Sequence, residues 1–317
     1  MANKFCFEAL DKSLKDIMSI NGEASQKIFG GKVVVFCDDF RQILHVIPRG
    51  SKSDIIHATI NTSYIWDHFK VLKLTKNMHL QSEAMTCTAD DIQIFSEWIL
   101  KIGDGTVFEP NDGYVEITIP QEFIISNFPD PIKAIVESTY PDLIHNYQYS
   151  NYLQSRAILA STIEVVYDIN QYIINLLLGE ENEYFSSNSI DGSEATDFDA
   201  FEHLKPEFLN ALKISRLSNH SIKLKIGTTI MLLHNLDQSE GLCNGTRLSA
   251  IRLVNHVIEG QSLDNVGLYY VFSHDQLYVA LSRVKTKEGL KILIHDKDKQ
   301  ARHIITNVVF EEVFQNI

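Results

Sequence analysis

Lys32-Val33-Val34-Val35-Phe36-Cys37-Asp38-Asp39 is a short continuous run of β-branched and aromatic residues, opened by Gly30-Gly31 and closed by two carboxylates. Too short for an ordinary helix and without polar alternation, it predicts a strand buried on both faces, as in a parallel sheet. Open α/β sheets place their ligand crevice at the C-terminal ends of their strands. Asp38 and Asp39 stand there, where paired acids hold Mg²⁺ or orient a water, and where Asp also serves as an ordinary turn cap. Gly30-Gly31-Lys32 is not a phosphate loop. In G-x-x-x-x-G-K-[ST] a helix follows the lysine, whereas here position 26 is Gln, position 33 is Val, and a strand is expected next.

Outward from this run, Phe7, Leu10, Leu14 and Ile17 recur at helical spacing and predict an amphipathic helix over 3–20. Ser53 can cap a helix through Ile55, Ile56, Ala58 and Ile60, and Phe69 to Leu74 returns as a strand. Thr88 with Asp91 resembles a capping box for a helix through Ile92, Phe95 and Ile99, closed by Gly103 and Gly105. Further strands are expected at 157–160, 222–226, 229–233, 248–253, 266–270 and 290–294, and helices at 163–177 and 274–283. Asn244-Gly245 is a tight-turn signal. The alternation of strands and helices indicates an α/β fold with mostly parallel sheets. A domain boundary is placed near residue 80.

The chain of 317 residues has 28 Lys+Arg against 41 Asp+Glu, a net charge of −13 that, taken as an average, argues against a nucleic-acid partner. Its distribution reverses that reading: residues 1–82 and 208–317 each carry +3, whereas 83–142 carry −10 and 180–207 carry −8. The second acidic stretch, rich in Ser, Asn and Gly, predicts a surface loop. The longest uncharged apolar run, Tyr172 to Gly179, falls far below the roughly 20 residues that cross a bilayer. Charged residues interrupt the N-terminal helix, so no signal peptide is expected. Cys6, Cys37, Cys87 and Cys243 lie far apart without C-x-x-C, which predicts reduced thiols, an intracellular setting and no metal site. Neither H-E-x-x-H nor G-x-S-x-G occurs.

Near the C-terminus, Tyr278-Val279-Ala280-Leu281-Ser282-Arg283 ends a short amphipathic helix with an arginine of the kind that serves phosphoryl transfer as an arginine finger. Taken together, several stretches resemble the petite-integration-frequency (Pif) family of DNA helicases, and within it the plant Pif-like and Helitron-transposon helicases. They are Phe29–Val35, Asp39-Phe40-Arg41-Gln42-Ile43-Leu44, Leu74–Met78, Gly241–Leu248, Gly260–Leu263 and Gln276–Val284.

The resemblance implies RecA-like domains of P-loop NTPase type that use ATP and Mg²⁺ to travel 5′→3′ along single-stranded DNA, with roles in repair, recombination and telomere maintenance and a nuclear or mitochondrial location. It assigns residues 1–80 to the C-terminal part of the first RecA-like domain and 81–317 to the second, with the acidic loop at 180–207. By position, Asp39 and Gln42 fall in the third helicase motif, with Gln42 as γ-phosphate sensor, and His79 takes the place of the fourth motif's arginine. Gly260, Gln261 and Ser262 match the tail of the fifth motif, and Arg283 the arginine finger of the sixth. His45 stands where the family has Pro, and Gln261 and Ser262 fall on the DNA side. The resemblance places the phosphate loop and the Walker B carboxylates upstream of the segment matched by Met1, and a DNA-gripping insert between Glu259 and Gly260. The chain alone is thus expected neither to hydrolyse ATP nor to unwind DNA. The alternative is a non-catalytic remnant of a transposon helicase that binds nucleic acid or a protein partner.

Overall fold

Asp11 is the one fully buried residue of helix α1 (Lys4–Ser19). The computed structural model describes residues 2–19, 27–37, 39–41, 45, 47–74, 89–107, 113–186, 208, 210, 220–263, 277–284, 286–296 and 300–314. The α1 helix forms where its periodicity predicts, but its inward face is set by the carboxylate, and Leu10 and Ile17 are exposed. Asp11 accepts hydrogen bonds from the Phe29 backbone N–H (2.5 Å), Lys15 Nζ (2.7 Å) and the Tyr64 hydroxyl (2.7 Å). These bonds hold the turn Ile28–Gly31, in which Phe29 itself has φ +53°. Gly30 follows at φ +59°, and a Cβ there would lie 2.8 Å from the Leu14 carbonyl oxygen, so the turn needs glycine both for its backbone and for its close approach to α1.

The next segment corrects the expectation from sequence. Residues 32–37 and 69–74 carry no regular secondary structure and join no sheet among the described residues. Val33 and Val35 are 94% and 86% exposed, and Leu72 and Leu74 are 80% and 99% exposed. An all-apolar strand is buried only when other strands flank it and layers cover both faces, and the described residues supply neither. What anchors these segments is aromatic: Phe36 packs edge-on against Phe7 (4.9 Å between centroids) and near Phe29 and Phe69 (5.7 Å each). Lysine at Val33 and Leu74 is therefore expected to raise solubility, since exposed apolar segments favour association. It should change the unfolding free energy by no more than about 0.5 kcal/mol, as light scattering and a denaturant melt would show.

The chain forms two compact units, residues 1–126 with 271–317, and residues 127–270. The boundary expected near residue 80 lies outside the described residues, as does the capping residue Thr88. In the first unit, α2 (Lys52–His57) is capped by Ser51 rather than Ser53. The Ser51 hydroxyl accepts from the Asp54 N–H while Asp54 accepts from the Ser51 N–H, a reciprocal box. Helix α3 (Ala89–Asp104) packs Phe95, Ile99 and Ile102 onto Val115 and Ile117 of β1 (Tyr114–Thr118), with Leu281 and Leu290 closing the core. Alternation in Tyr-Val-Glu-Ile-Thr gives β1 its buried face, although this strand and its antiparallel partner Ile304–Val308 were not expected.

In the second unit, α4 (Pro131–Thr139) is capped by Asp130, and α7 (Ile163–Leu176) by Thr162. Between them lie α5 (Leu143–Asn146) and α6 (Ser150–Gln154). Val136, Leu143, Tyr147, Ile169 and Leu177 form the unit's core. Strands β2 (Asn182–Phe185) and β3 (Ser221–Leu224) pair antiparallel, so the start of the acidic stretch is strand and not loop; residues 187–207 lie outside the described residues. Strands β4 (Thr229–Met231), β5 (Arg247–Val254) and β6 (Val257–Ser262) form an antiparallel sheet in that order.

Every named sheet among the described residues is antiparallel; the one parallel pairing is the isolated bridge of Ile124 to Ile292. The α/β composition holds, but the mostly parallel arrangement does not. Parallel neighbours need a crossover of a dozen or more residues, whereas β5 and β6 are joined by Asn255-His256 alone, with His256 at φ +66°. The turn expected at Asn244-Gly245 is present, with Gly245 at φ +90°. Residues 157–160 are not a strand. The helix expected over 274–283 is described as Leu277–Leu281. No helix among the described residues is long and apolar enough to cross a membrane, and Cys6, Cys37 and Cys243 are free thiols.

Candidate functional site

Leu277–Leu281 is a five-residue helix fixed by burial of Val279 and Leu281. Its chain continues in a turn, with the Ser282 N–H donating to the Tyr278 carbonyl (2.8 Å) and the Arg283 N–H to the Ala280 carbonyl (3.3 Å). Arg283 emerges exposed at the end of this turn. Tyr278, on the same helix, lies directly over Gly103 of α3: a Cβ at residue 103 would be 2.5 Å from its ring and 2.9 Å from Arg41 Cδ. The absence of a side chain there lets three segments distant in sequence converge.

Arg41 completes the junction. Its Nε donates to Asp104 Oδ1 at 2.6 Å, and its backbone N–H donates to Asp39 Oδ1 at 3.1 Å. Burial opposes the Arg41 charge, but the bond to Asp104 and the nearby charges outweigh it, and its pKa is raised. Burial raises the Tyr278 pKa too, reinforced by the nearby Asp39 charge. The Asp39 segment and the Arg283 helix therefore belong to one packed unit, joined through Tyr278 and Arg41. Neither Arg41 nor Tyr278 was assigned a role from sequence. Asp104 was missed, and the signal that could have found it is the paired Gly103 and Gly105, which mark a helix end open to close approach.

Other expected positions are not gathered here. Gln42 and His79 lie outside the described residues, and His45 is half-buried in the first unit. Gly260, Gln261 and Ser262 lie exposed on β6 in the second unit, opposite Ala250, Ser249 and Leu248. At Glu259–Gly260, where the resemblance places a long insert, β6 runs on without a break, and β5 accommodates the join by a register shift between Ala250 and Arg252.

The described residues do not fit a triphosphate and its Mg²⁺. Asp39 accepts from the Arg41 N–H, and Asp104 accepts from Arg41 Nε. Among the described residues no three His, Cys, Asp or Glu groups gather as a metal site. Arg283 stands exposed on a turn that ends a helix whose Tyr278 packs over Gly103 of α3.

Two family models match parts of the chain. The PIF1-like helicase model matches residues 1–113, and that of the 2B domain of DNA helicase Pif1 matches residues 207–253. No curated protein matches the chain significantly. The first match spans the Asp39 segment and Asp104; the second spans β3 and β4 and nearly all of β5. Over these residues the chain matches the PIF1-like helicase family of ATP-dependent DNA helicases.

Proposed function

We propose that this chain supplies the arginine-presenting and DNA-engaging parts of a PIF1-like helicase, of the plant Pif-like and Helitron kind, and that its own residues do not turn over ATP. The observation that carries this reading is the junction of Asp39, Arg41, Asp104 and Tyr278, which ties the third-motif segment to the helix bearing Arg283. The sequence of residues 1–317 contains no G-x-x-x-x-G-K-[ST], so the groups that cradle phosphates are not among its own. In this reading residues 1–80 descend from the first RecA-like domain and 81–317 from the second. Asp39, Gln42, His79, Gly260, Gln261 and Arg283 are the positions that meet nucleotide in the complete machinery; His45, Gln261 and Ser262 lie on the DNA path, in nucleus or mitochondrion.

DNA engagement is tested with a fluorescein-labelled single-stranded oligonucleotide followed by anisotropy. Gln261→Ala with Ser262→Ala removes two exposed polar side chains, each worth about 1 kcal/mol as a hydrogen bond. The double variant should bind at least fivefold more weakly while its melting is unchanged. Wild-type affinity in that variant would remove β6 from the DNA path, and no binding by the parent chain would remove the DNA-engaging role.

A further inference from the structure

The second unit contains a partly open cavity of about 560 Å³, a volume typical of small-molecule sites. Tyr140, Tyr147, Ile169, Ile173 and Ile230 supply much of its apolar and aromatic wall, and Arg247, the first residue of β5, lies in that wall. Although the whole chain carries −13, no Asp or Glu is among the described residues of the lining, whereas Arg247, Lys223 and His220 are.

The arginine and the lysine differ in how they are balanced. Lys223 pairs with Glu181 at 2.9 Å near the rim. Arg247 is 3% exposed and has no carboxylate partner among the described residues. Its Nη groups donate to the Leu153 and Gln154 carbonyls at 3.0 and 3.4 Å, and its Nε meets no acceptor. Burial lowers its pKa, as expected of a charge taken out of water without a counterion. A buried, unpaired charge is costly to keep. Hydrophobic residues could fill the site instead, so the cost is explained by a ligand that brings the missing negative charge.

We propose that this cavity binds a small organic anion whose carboxylate or phosphate pairs with Arg247 and whose apolar or aromatic body packs against Tyr140, Tyr147, Ile169 and Ile230. The site needs nothing from the Arg283 junction and is independent of the helicase reading. Its specificity follows from the wall: a neutral analogue gains the apolar contacts but leaves Arg247 unpaired, and a fully hydrated inorganic anion gains the charge but not the contacts.

The whole chain would be titrated calorimetrically with 4-phenylbutyrate, with phenyl phosphate, and with neutral 4-phenylbutyramide. At least one anion is expected to bind tenfold or more tightly than the amide; which one does so separates a carboxylate ligand from a phosphate ligand. Arg247→Met should abolish the preference for the anion. Because that change removes two bonds to carbonyls, Ile230→Trp serves as a second variant that keeps Arg247 and fills the cavity, and it should abolish binding altogether. The proposal is overturned if neither anion binds saturably, if acid and amide bind alike, if a folded Arg247→Met chain keeps the preference, or if Ile230→Trp binds as the parent does.

Discussion

Replacing Asp11 by alanine is expected to lower the unfolding free energy by about 3 kcal/mol. The substitution strands the Phe29 N–H in the interior, removes the partner of Lys15, and frees one tie on a turn whose Phe29 sits at φ +53°. The same group gives a pH signature. Burial would raise the Asp11 pKa, but the bonds from Lys15, Phe29 and Tyr64 together lower it below the ordinary 3.8. Its stabilisation is present above that value and is lost as pH falls through the lowered folded-state pKa. Tyr64 acts in the opposite sense. Burial and its bond to Asp11 push its pKa up to about 12 from 10, so its contribution is present below pH 10 and is lost as pH rises towards 12. Denaturant melts across this range should show both limbs, with the acid limb flattened in Asp11→Asn.

The second large effect is expected at Gly103. Alanine there gains roughly 1 kcal/mol of helix propensity but places a methyl 2.5 Å from the Tyr278 ring, so the two effects nearly offset. Valine adds two more carbons without that gain and should cost roughly 2–3 kcal/mol through overpacking. Its signature is coupling: in a Tyr278→Ala background the cost of Gly103→Val should fall by more than about 1 kcal/mol, because the clash partner is gone. Additive effects would mean that Tyr278 does not rest on α3.

Both sites show where sequence informs and where it stops. The α1, α3 and α7 helices were legible because their apolar periodicity or length is a local signal, as Asn244-Gly245 is for its turn, whereas the shorter α4, α5 and α6 were not expected. The sheets were less so. Val33-Val34-Val35-Phe36 has the composition of a central strand, yet whether a strand is central depends on neighbours that composition does not supply. The two-residue Asn255-His256 turn was missed because it lacks the glycine that usually marks such hairpins, and β6 was missed with it. Arg283 could be singled out by its place at the end of an amphipathic helix. The groups that hold it could not, because Arg41, Asp104 and Tyr278 are far apart in the chain and meet only through packing at Gly103. The cavity was invisible for a related reason: an arginine in Gly-Thr-Arg-Leu carries no sign that it will be buried without a carboxylate.

An arginine finger is worth roughly 10³–10⁵ in rate, but only on phosphates that other groups already hold. Phosphate release from ATP and Mg²⁺, measured with saturating single-stranded DNA and the purified 317-residue chain, therefore tests the account most directly. It predicts a rate indistinguishable from that of a protein-free control. Release well above the control that disappears on Arg283→Ala would contradict it, since the chain would then hold and cleave ATP with residues of its own.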